Sequence, residues 1–359
     1  MSTTRTIDLI LIGLGNVHRQ FLHLLITRRE VLAGRYGLQL RVVGVVDSRG
    51  AAVDANGLDP AALLAHKLAG GSAAGFPPGV GLTGATALDV LAQVRAHVLL
   101  EASPVNLRDA QPALSTVLAA LEGGLNVVLA NKAPLALSFQ DVQRAAAANG
   151  ARLAFSATVC GGLPVVNVGQ RDLVAAQICR VEGIFNSTSN YILTQMAAGR
   201  SYADALAEAQ RRGIAETDPT LDVDGWDTAN KLTIVANAVL GFPATVRDVQ
   251  PVTGIRGSDL LQVAGSPNAV PGRVTQAGGP ERGVVKLLGK AELRPDGGYD
   301  LSVQPVALPP EHKLAHVDGW EMGVVFESDL FEMIFISIDE RGPTGTAAAM
   351  MRDVVNLYR

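Results

Sequence analysis

Only two cysteines occur, Cys160 and Cys179, and they form no C-x-x-C pair. Neither a disulfide framework nor a thiolate metal cage is indicated, and Cys160 is expected to behave as a small buried apolar residue. No apolar run approaches the roughly 18 residues that cross a bilayer, and residues 1–6 lack the basic start and apolar core of a secretory signal. Membrane partners are therefore not expected, and the cytoplasm is. A dominant charge is missing too: 30 basic residues stand against 34 acidic ones, a net charge of -4, with no Lys/Arg cluster. Nucleic acid is excluded as an expected partner, because the electrostatic footprint it needs is absent. Internal repeats and low-complexity tracts are also absent. What is there, 359 residues of which 48% are hydrophobic, can bury substantial cores and favours two compact domains over one.

The first half alternates. Residues 7–12 are a β-branched-rich apolar run stopping at Gly13, residues 21–32 carry apolar positions at helical spacing, and residues 41–47 form a second apolar run. Two further strands are predicted at 97–103 and 126–131, separated by a helix over 109–122 that stops at Gly123-Gly124. Such alternation predicts an α/β fold, a doubly wound parallel sheet of Rossmann type, with the Gly- and Pro-rich residues 70–84 as a loop. A boundary is placed near Ala151. Beyond it, strands at 180–185 and 324–338 and helices at 201–212 and 224–240 do not alternate, which predicts a mixed α+β domain over 152–339. The helical residues 345–358 are expected to return to the first domain, so that 1–151 plus about 340–359 form one unit.

A strand ending in Gly13-Leu14-Gly15-Asn16-Val17 and opening a helix is the arrangement that binds a dinucleotide. The first glycine makes the tight turn, and the second lets backbone approach a pyrophosphate at the positive helix end. Where a third glycine would pack helix on strand stands His18, so the helix sits further off or the imidazole points outward. Asp47, ending the second strand, suits the ribose hydroxyls of NAD, whereas Arg49 beside Ser48 suits the 2′-phosphate of NADP; Asp47 could equally cap a turn. Lys132 follows the strand at 126–131, at the carboxyl edge where open α/β sheets bind ligands, although a lone Lys there is commonly a solvated loop residue.

Asp227 and Lys231 are four apart and share a helix face. Such a pair is usually a surface bridge, but this helix continues Leu-Thr-Ile-Val-Ala-Asn-Ala-Val-Leu, apolar nearly all round and so buried. A buried Asp–Lys pair can be tuned to exchange a proton near neutrality. Glu216 precedes it in a loop that Pro219 keeps from being helical.

The motifs Asp47-Ser48-Arg49-Gly50, Glu101-Ala102-Ser103-Pro104, Ala130-Asn131-Lys132-Ala133-Pro134-Leu135, Gly183-Ile184-Phe185-Asn186-Ser187-Thr188-Ser189-Asn190 and the run 216–231 together resemble homoserine dehydrogenases, in order and spacing. The resemblance implies reversible NAD- or NADP-dependent reduction of L-aspartate 4-semialdehyde to L-homoserine, in threonine, methionine and isoleucine biosynthesis, by a homodimer. It makes Lys231 the proton donor, places Lys132 near the nicotinamide, and gives the amino-acid site to Glu216, Asp222, Asp227 and Thr188. Gly13 to Val17, Asp47, Ser48, Arg49, Ser103, Pro104, Lys132 and Gly345 would hold the coenzyme. Carbonyls of Val159, Gly161 and Leu163 resemble a sodium or potassium site, yet Ser156 stands where a Glu is expected. The chain ends soon after Gly345, so threonine feedback through an appended domain is not expected. A dehydrogenase of another hydroxylated amino acid and a silent nucleotide-binding sensor are the alternatives; retention of both lysines speaks against the sensor.

Overall fold

The computed structural model describes residues 4–77, 79–256, 260, 273–275 and 281–359. Two units result, one of Met1–Pro164 with Gly342–Arg359, the other of Val165–Arg341.

In the first unit, β1 (Arg5–Ile12), α1 (Asn16–Thr27), α2 (Arg29–Tyr36), β2 (Leu38–Asp47), β3 (Gly50–Leu58), α3 (Pro60–Leu68), β4 (Gly81–Thr83), α4 (Ala87–Gln93), β5 (Val98–Glu101), α5 (Ala113–Glu122), β6 (Asn126–Leu129), α6 (Ala133–Ala148) and β7 (Leu153–Ala154) follow in order. The sheet order is β4-β3-β2-β1-β5-β6-β7. β1 pairs in parallel with both β2 and β5, and β6 and β7 continue in parallel. The chain thus reverses direction across the sheet at β1, and the crevice at the carboxyl end of such a switch point is where open α/β folds bind ligands. The parallel strands are completely buried runs, such as Leu9 to Leu11 and Val98 to Leu100, as helices on both faces require.

Four features differ from expectation. β3 and β4 add antiparallel edge strands within and before the predicted loop; Gly-Ala-Ala-Val-Asp-Ala-Asn-Gly-Leu has little β propensity, and pairing with β2 imposes the strand. The helix expected over 21–32 is broken at Arg28 (φ -109°, ψ 5°) into α1 and α2. α5 begins only at Ala113, because the Asp109 carboxylate accepts from the Gln111 amide and holds a turn there. The unit also extends past Ala151 to Pro164: β7 joins the sheet, and the loop after it is tied to the C-terminal helix Thr344–Tyr358. That helix packs Ala347, Met350, Met351 and Val354 into the same core as Phe21, Leu22 and Leu25 of α1.

The second unit carries a sheet of order β14-β13-β8-β11-β12-β9 with β10 beside β11. Its strands are β8 (Ile178–Ile184), β9 (Val249–Val252), β10 (Arg273–Thr275), β11 (Glu281–Leu293), β12 (Tyr299–Leu308), β13 (Glu321–Ser328) and β14 (Glu332–Asp339), mostly antiparallel. Its helices are α7 (Val165–Asn167), α8 (Ser187–Ala197), α9 (Tyr202–Arg211), α10 (Thr220–Val223) and α11 (Trp226–Ala238). Ser201 caps α9, accepting from the Asp204 amide at 3.1 Å. α11 is not capped by Asp224, which pairs with Arg256 instead. Gly225 turns the chain into it in the left-handed region (φ +85°), where a Cβ would lie 3.0 Å from Val303. Ten residues of α11 are buried, from Asp227 to Asn237, so the Asp227–Lys231 face opens onto protein rather than solvent.

Candidate functional site

The turn between β1 and α1 is built for close approach. Gly13 sits at φ +83°, and a Cβ there would lie 2.5 Å from the Ser103 backbone. Gly15 caps α1, donating to the Gly13 carbonyl at 2.8 Å, and a Cβ on it would meet no protein atom within 4 Å. Leu14 is buried beneath the turn, whereas Asn16 and Val17 begin the helix. A cavity of about 620 Å³ opens beside this turn, lined among others by Gly13, Asp47, Ser48, Arg49, Ser103 and Pro104. That volume suits one half of a dinucleotide. The open space over Gly15 and the positive end of α1 fit a pyrophosphate. Gly345 lies in the first turn of the C-terminal helix, which packs on α1.

His18 points inward. Its ring is completely buried, Nδ1 donates to the Gly13 carbonyl at 3.0 Å, and the ring meets Phe21 edge-on. An imidazole thus fills the place of the third glycine and braces the turn from beneath. Burial lowers its pKa to about 4, against a smaller opposing contribution from the Gly13 carbonyl. Because the folded pKa lies below the unfolded one, this group's contribution to stability is complete above pH 6.5 and is lost as pH falls toward 4. The loss is about 3 kcal/mol. Thermal melts from pH 7 to pH 4 should therefore fall more steeply for the parent than for His18→Gln; identical slopes would remove His18 as the source.

At the end of β2 the Asp47 carboxylate is occupied by the protein. Oδ2 accepts from Lys67 Nζ at 2.7 Å and from the Ala73 amide at 2.9 Å, while Oδ1 accepts from the Arg49 amide at 3.1 Å. Burial pushes the pKa up, but these donors outweigh it and hold Asp47 below the usual carboxylate range. Asp47 thus caps the turn and also lines the cavity. The Arg49 guanidinium donates to the Gly70 carbonyl and is exposed. Lys67 is a residue that local reading missed, because its partner lies 20 residues away.

Across the sheet, at the ends of β5 and β6, Glu101 Oε1 accepts from the Ser103 amide at 2.8 Å and from the Ser103 hydroxyl, and Asn131 Nδ2 reaches both residues at 3.3 Å. Asn131 Oδ1 also accepts from the Ala133 amide, fixing the start of α6 beside the half-buried Lys132. Burial raises the Glu101 pKa despite these bonds.

In the second unit, Lys231 Nζ donates to Asp227 Oδ2 and to the Phe185 carbonyl, both at 2.7 Å, and its side chain is 15% exposed. Asn186 joins the carboxylates: its Nδ2 donates to Asp222 at 2.7 Å and to Asp227 at 2.8 Å, while its Oδ1 caps α8 through the Ser189 amide. Burial raises the Asp222 pKa, and the neighbouring Asp227 charge raises it further; Asn186, Lys231 and Thr188 offset part of this. Two close carboxylates facing one ammonium form a cluster short of positive charge, and a second ammonium would relieve it. Thr188 also donates to the Ile214 carbonyl. Glu216 lies in the exposed turn after α9, and among the described residues no hydrogen bond ties its carboxylate to this cluster. Lys231, Asp227, Asp222 and Thr188 are therefore brought together. Asn186 carries no local signal of this role, because its partners lie 36 and 41 residues away.

In the loop 156–163, Val159 and Leu163 are buried and Gly161 is half-buried. Ser156 puts a hydroxyl where a monovalent cation would want a carboxylate, and that hydroxyl is bonded to Asp353 and Arg352. The donor set does not fit such an ion. Cys160 is buried and Cys179 exposed. Among the described residues no group of three or more His, Cys, Asp or Glu could hold a metal, and no helix is long and apolar enough to cross a membrane.

A sequence profile of the family described as "Homoserine dehydrogenase" matches residues 164–355. A homoserine dehydrogenase of Methanocaldococcus jannaschii is 33% identical over 354 residues, 98% of each chain. An NAD(+)-dependent homoserine dehydrogenase of Pseudomonas canavaninivorans is 33% identical over 98% of this chain and 96% of its own. The solved homoserine dehydrogenase of Thermoplasma acidophilum superposes with a TM-score of 0.80 at 27% identity, over 98% of this chain and 99% of that one. With a dinucleotide turn in one unit, a buried lysine among carboxylates in the other and relatives aligned end to end, the chain belongs to the homoserine dehydrogenase family, NAD(P)-dependent oxidoreductases acting on a CH–OH group.

Proposed function

We propose that Lys231 gives the proton to the aldehyde oxygen when L-aspartate 4-semialdehyde becomes L-homoserine, and takes it back in reverse. The observation that carries this is the buried Lys231–Asp227 pair at 2.7 Å, with Asp222 held to it by Asn186. The coenzyme, when bound, supplies the hydride. As hydride reaches the carbonyl carbon, negative charge grows on oxygen, and a fixed ammonium stabilises it and then yields its proton. Asp227 keeps Lys231 charged and oriented. Asp222, Thr188 and Glu216 serve the amino-acid end, where the substrate ammonium supplies the positive charge that the two carboxylates lack. Lys132 adds a positive charge on the nucleotide side.

For the coenzyme, the pairing of Asp47 with Lys67 favours NADP. An unpaired carboxylate would repel a 2′-phosphate, whereas this one is neutralised by the Lys67 ammonium and accepts from the Arg49 amide, with the Arg49 side chain exposed at the same turn. NADP should bind more tightly than NAD, and Lys67→Ala with Arg49→Ala should cost NADP about tenfold or more while sparing NAD. Fluorescence titration of both coenzymes checks this, and equal losses for the two would refute it. The catalytic reading is tested by assaying L-homoserine oxidation with each coenzyme in parallel. Turnover is expected, and failure with both beside turnover of another alcohol would reassign the substrate. A cytoplasmic homodimer in threonine and methionine biosynthesis completes the proposal. The exposed apolar Leu330, Phe331 and Met333 at the turn into edge strand β14 support the dimer.

A further inference from the structure

The loop 156–163 carries the most unusual polar arrangement of the first unit. Ser156 is 1% exposed and Asp353, on the C-terminal helix, 2%. Asp353 accepts from the Ser156 amide at 2.9 Å and from the Ser156 hydroxyl at 2.7 Å, so the loop's first residue engages both carboxylate oxygens. Arg352, the preceding residue, sends one nitrogen to Ser156 Oγ at 3.0 Å and another to the Gly162 carbonyl at 3.4 Å. The loop between these points makes two successive left-handed residues, Cys160 at φ +55° and Gly161 at φ +54°. Such a path persists only when its surroundings hold it.

We propose that the Arg352 guanidinium is a built-in cation for this loop, doing there what a bound sodium or potassium ion would do, so that the chain needs neither. A monovalent ion held by carbonyls is bound more firmly when one ligand is anionic, and Ser156 supplies only a hydroxyl already bonded to Asp353 and Arg352. Asp353 is the carboxylate that stands near, and the Ser156 hydroxyl it accepts from is shared with the Arg352 guanidinium, a positive charge already covalently attached. The guanidinium gathers a loop carbonyl and a loop hydroxyl as an ion would. An additional metal ion would meet like charge there. Unlike a metal ion, the guanidinium cannot dissociate, and it stays protonated throughout the working pH range. Arg352 is accordingly a positioning residue that fixes the loop on the C-terminal helix. The inference stands on contacts within the first unit and does not depend on which alcohol is oxidised.

The test is a cation titration of the full chain, read by melting temperature and, separately, by turnover. Protein exchanged into choline chloride should melt and turn over as it does in sodium or potassium chloride at matched ionic strength, within about twofold in rate. Arg352→Met should melt lower in choline and recover part of the loss when sodium or potassium replaces it, because the vacated positive site then accepts an ion. Arg352→Lys should keep the parent's indifference to the salt. Specific stabilisation or activation of the parent by sodium or potassium overturns the proposal, as does an Arg352→Met variant that melts like the parent in choline. If Arg352→Met does not fold, the parent titration alone decides. Unchanged melting in all three salts without homoserine turnover would leave this inference standing and remove the catalytic reading instead.

Discussion

Lys231→Met should leave a folded protein that binds coenzyme like the parent but reduces aldehyde roughly 10²- to 10⁴-fold more slowly. The side chain is replaced by one of similar length, so the packing of α11 is kept while proton and charge are both lost. The cost falls on kcat and kcat/KM alike, because the interaction is strongest when the oxygen carries most charge. The change also leaves Asp227 and Asp222 facing each other across Asn186 without their ammonium. Removing that cation should push the already raised Asp222 pKa further up. Single-turnover rates beside coenzyme titrations separate the steps. Parent-like rates would take Lys231 out of the chemistry, and lost coenzyme binding would mean that the variant had damaged more than the proton donor.

Gly13→Ala should destabilise the fold and abolish coenzyme binding together. A left-handed backbone costs a residue with a side chain about 1–2 kcal/mol. The larger penalty is steric: the new Cβ would lie 2.5 Å from Ser103 N and Cα and 2.7 Å from the Ala102 carbonyl, all backbone atoms that no rotamer can move. The carboxyl ends of β1 and β5 must part, taking the Glu101–Ser103–Asn131 knot with them. Gly15→Ala is the control, because its Cβ meets no protein atom within 4 Å. It should melt like the parent yet bind coenzyme far more weakly, since the methyl occupies the approach left for a pyrophosphate. Parent-like coenzyme affinity in Gly15→Ala would show that the phosphates do not lie over this turn. A parent-like melt for Gly13→Ala would show that the two strand ends are looser than their packing implies.

Much of the nucleotide unit was legible because its signals are local. The apolar run into Gly13, the strand ending at Asp47 and the strand before Lys132 each advertise themselves within ten residues, and the structure keeps all three. β3 was not legible, since Ala, Asn and Gly form a strand there only by pairing with β2. His18 was readable as a departure from pattern, but whether its ring turned out or in depended on the space beneath Gly13. For the second unit the Asp227–Lys231 spacing gave the buried ion pair. The helix predicted from Asp224 starts later, at Trp226, because Arg256 takes the Asp224 carboxylate and Gly225 makes the turn without it.

What the chain determined by itself was the alternation of β1, α1, β2, β5, α5 and β6, the glycine turn and a lysine one helical turn from an aspartate. Each follows from backbone periodicities of two and 3.6 residues and from steric rules acting over a few bonds. Tertiary structure alone decided which charges lost water and which partner each then found: Lys67 for Asp47, Asn186 between Asp222 and Asp227, and Asp353 for Ser156, 197 residues away. Desolvation and ion pairing depend on what surrounds a group in space, and sequence neighbours contribute little of that surrounding.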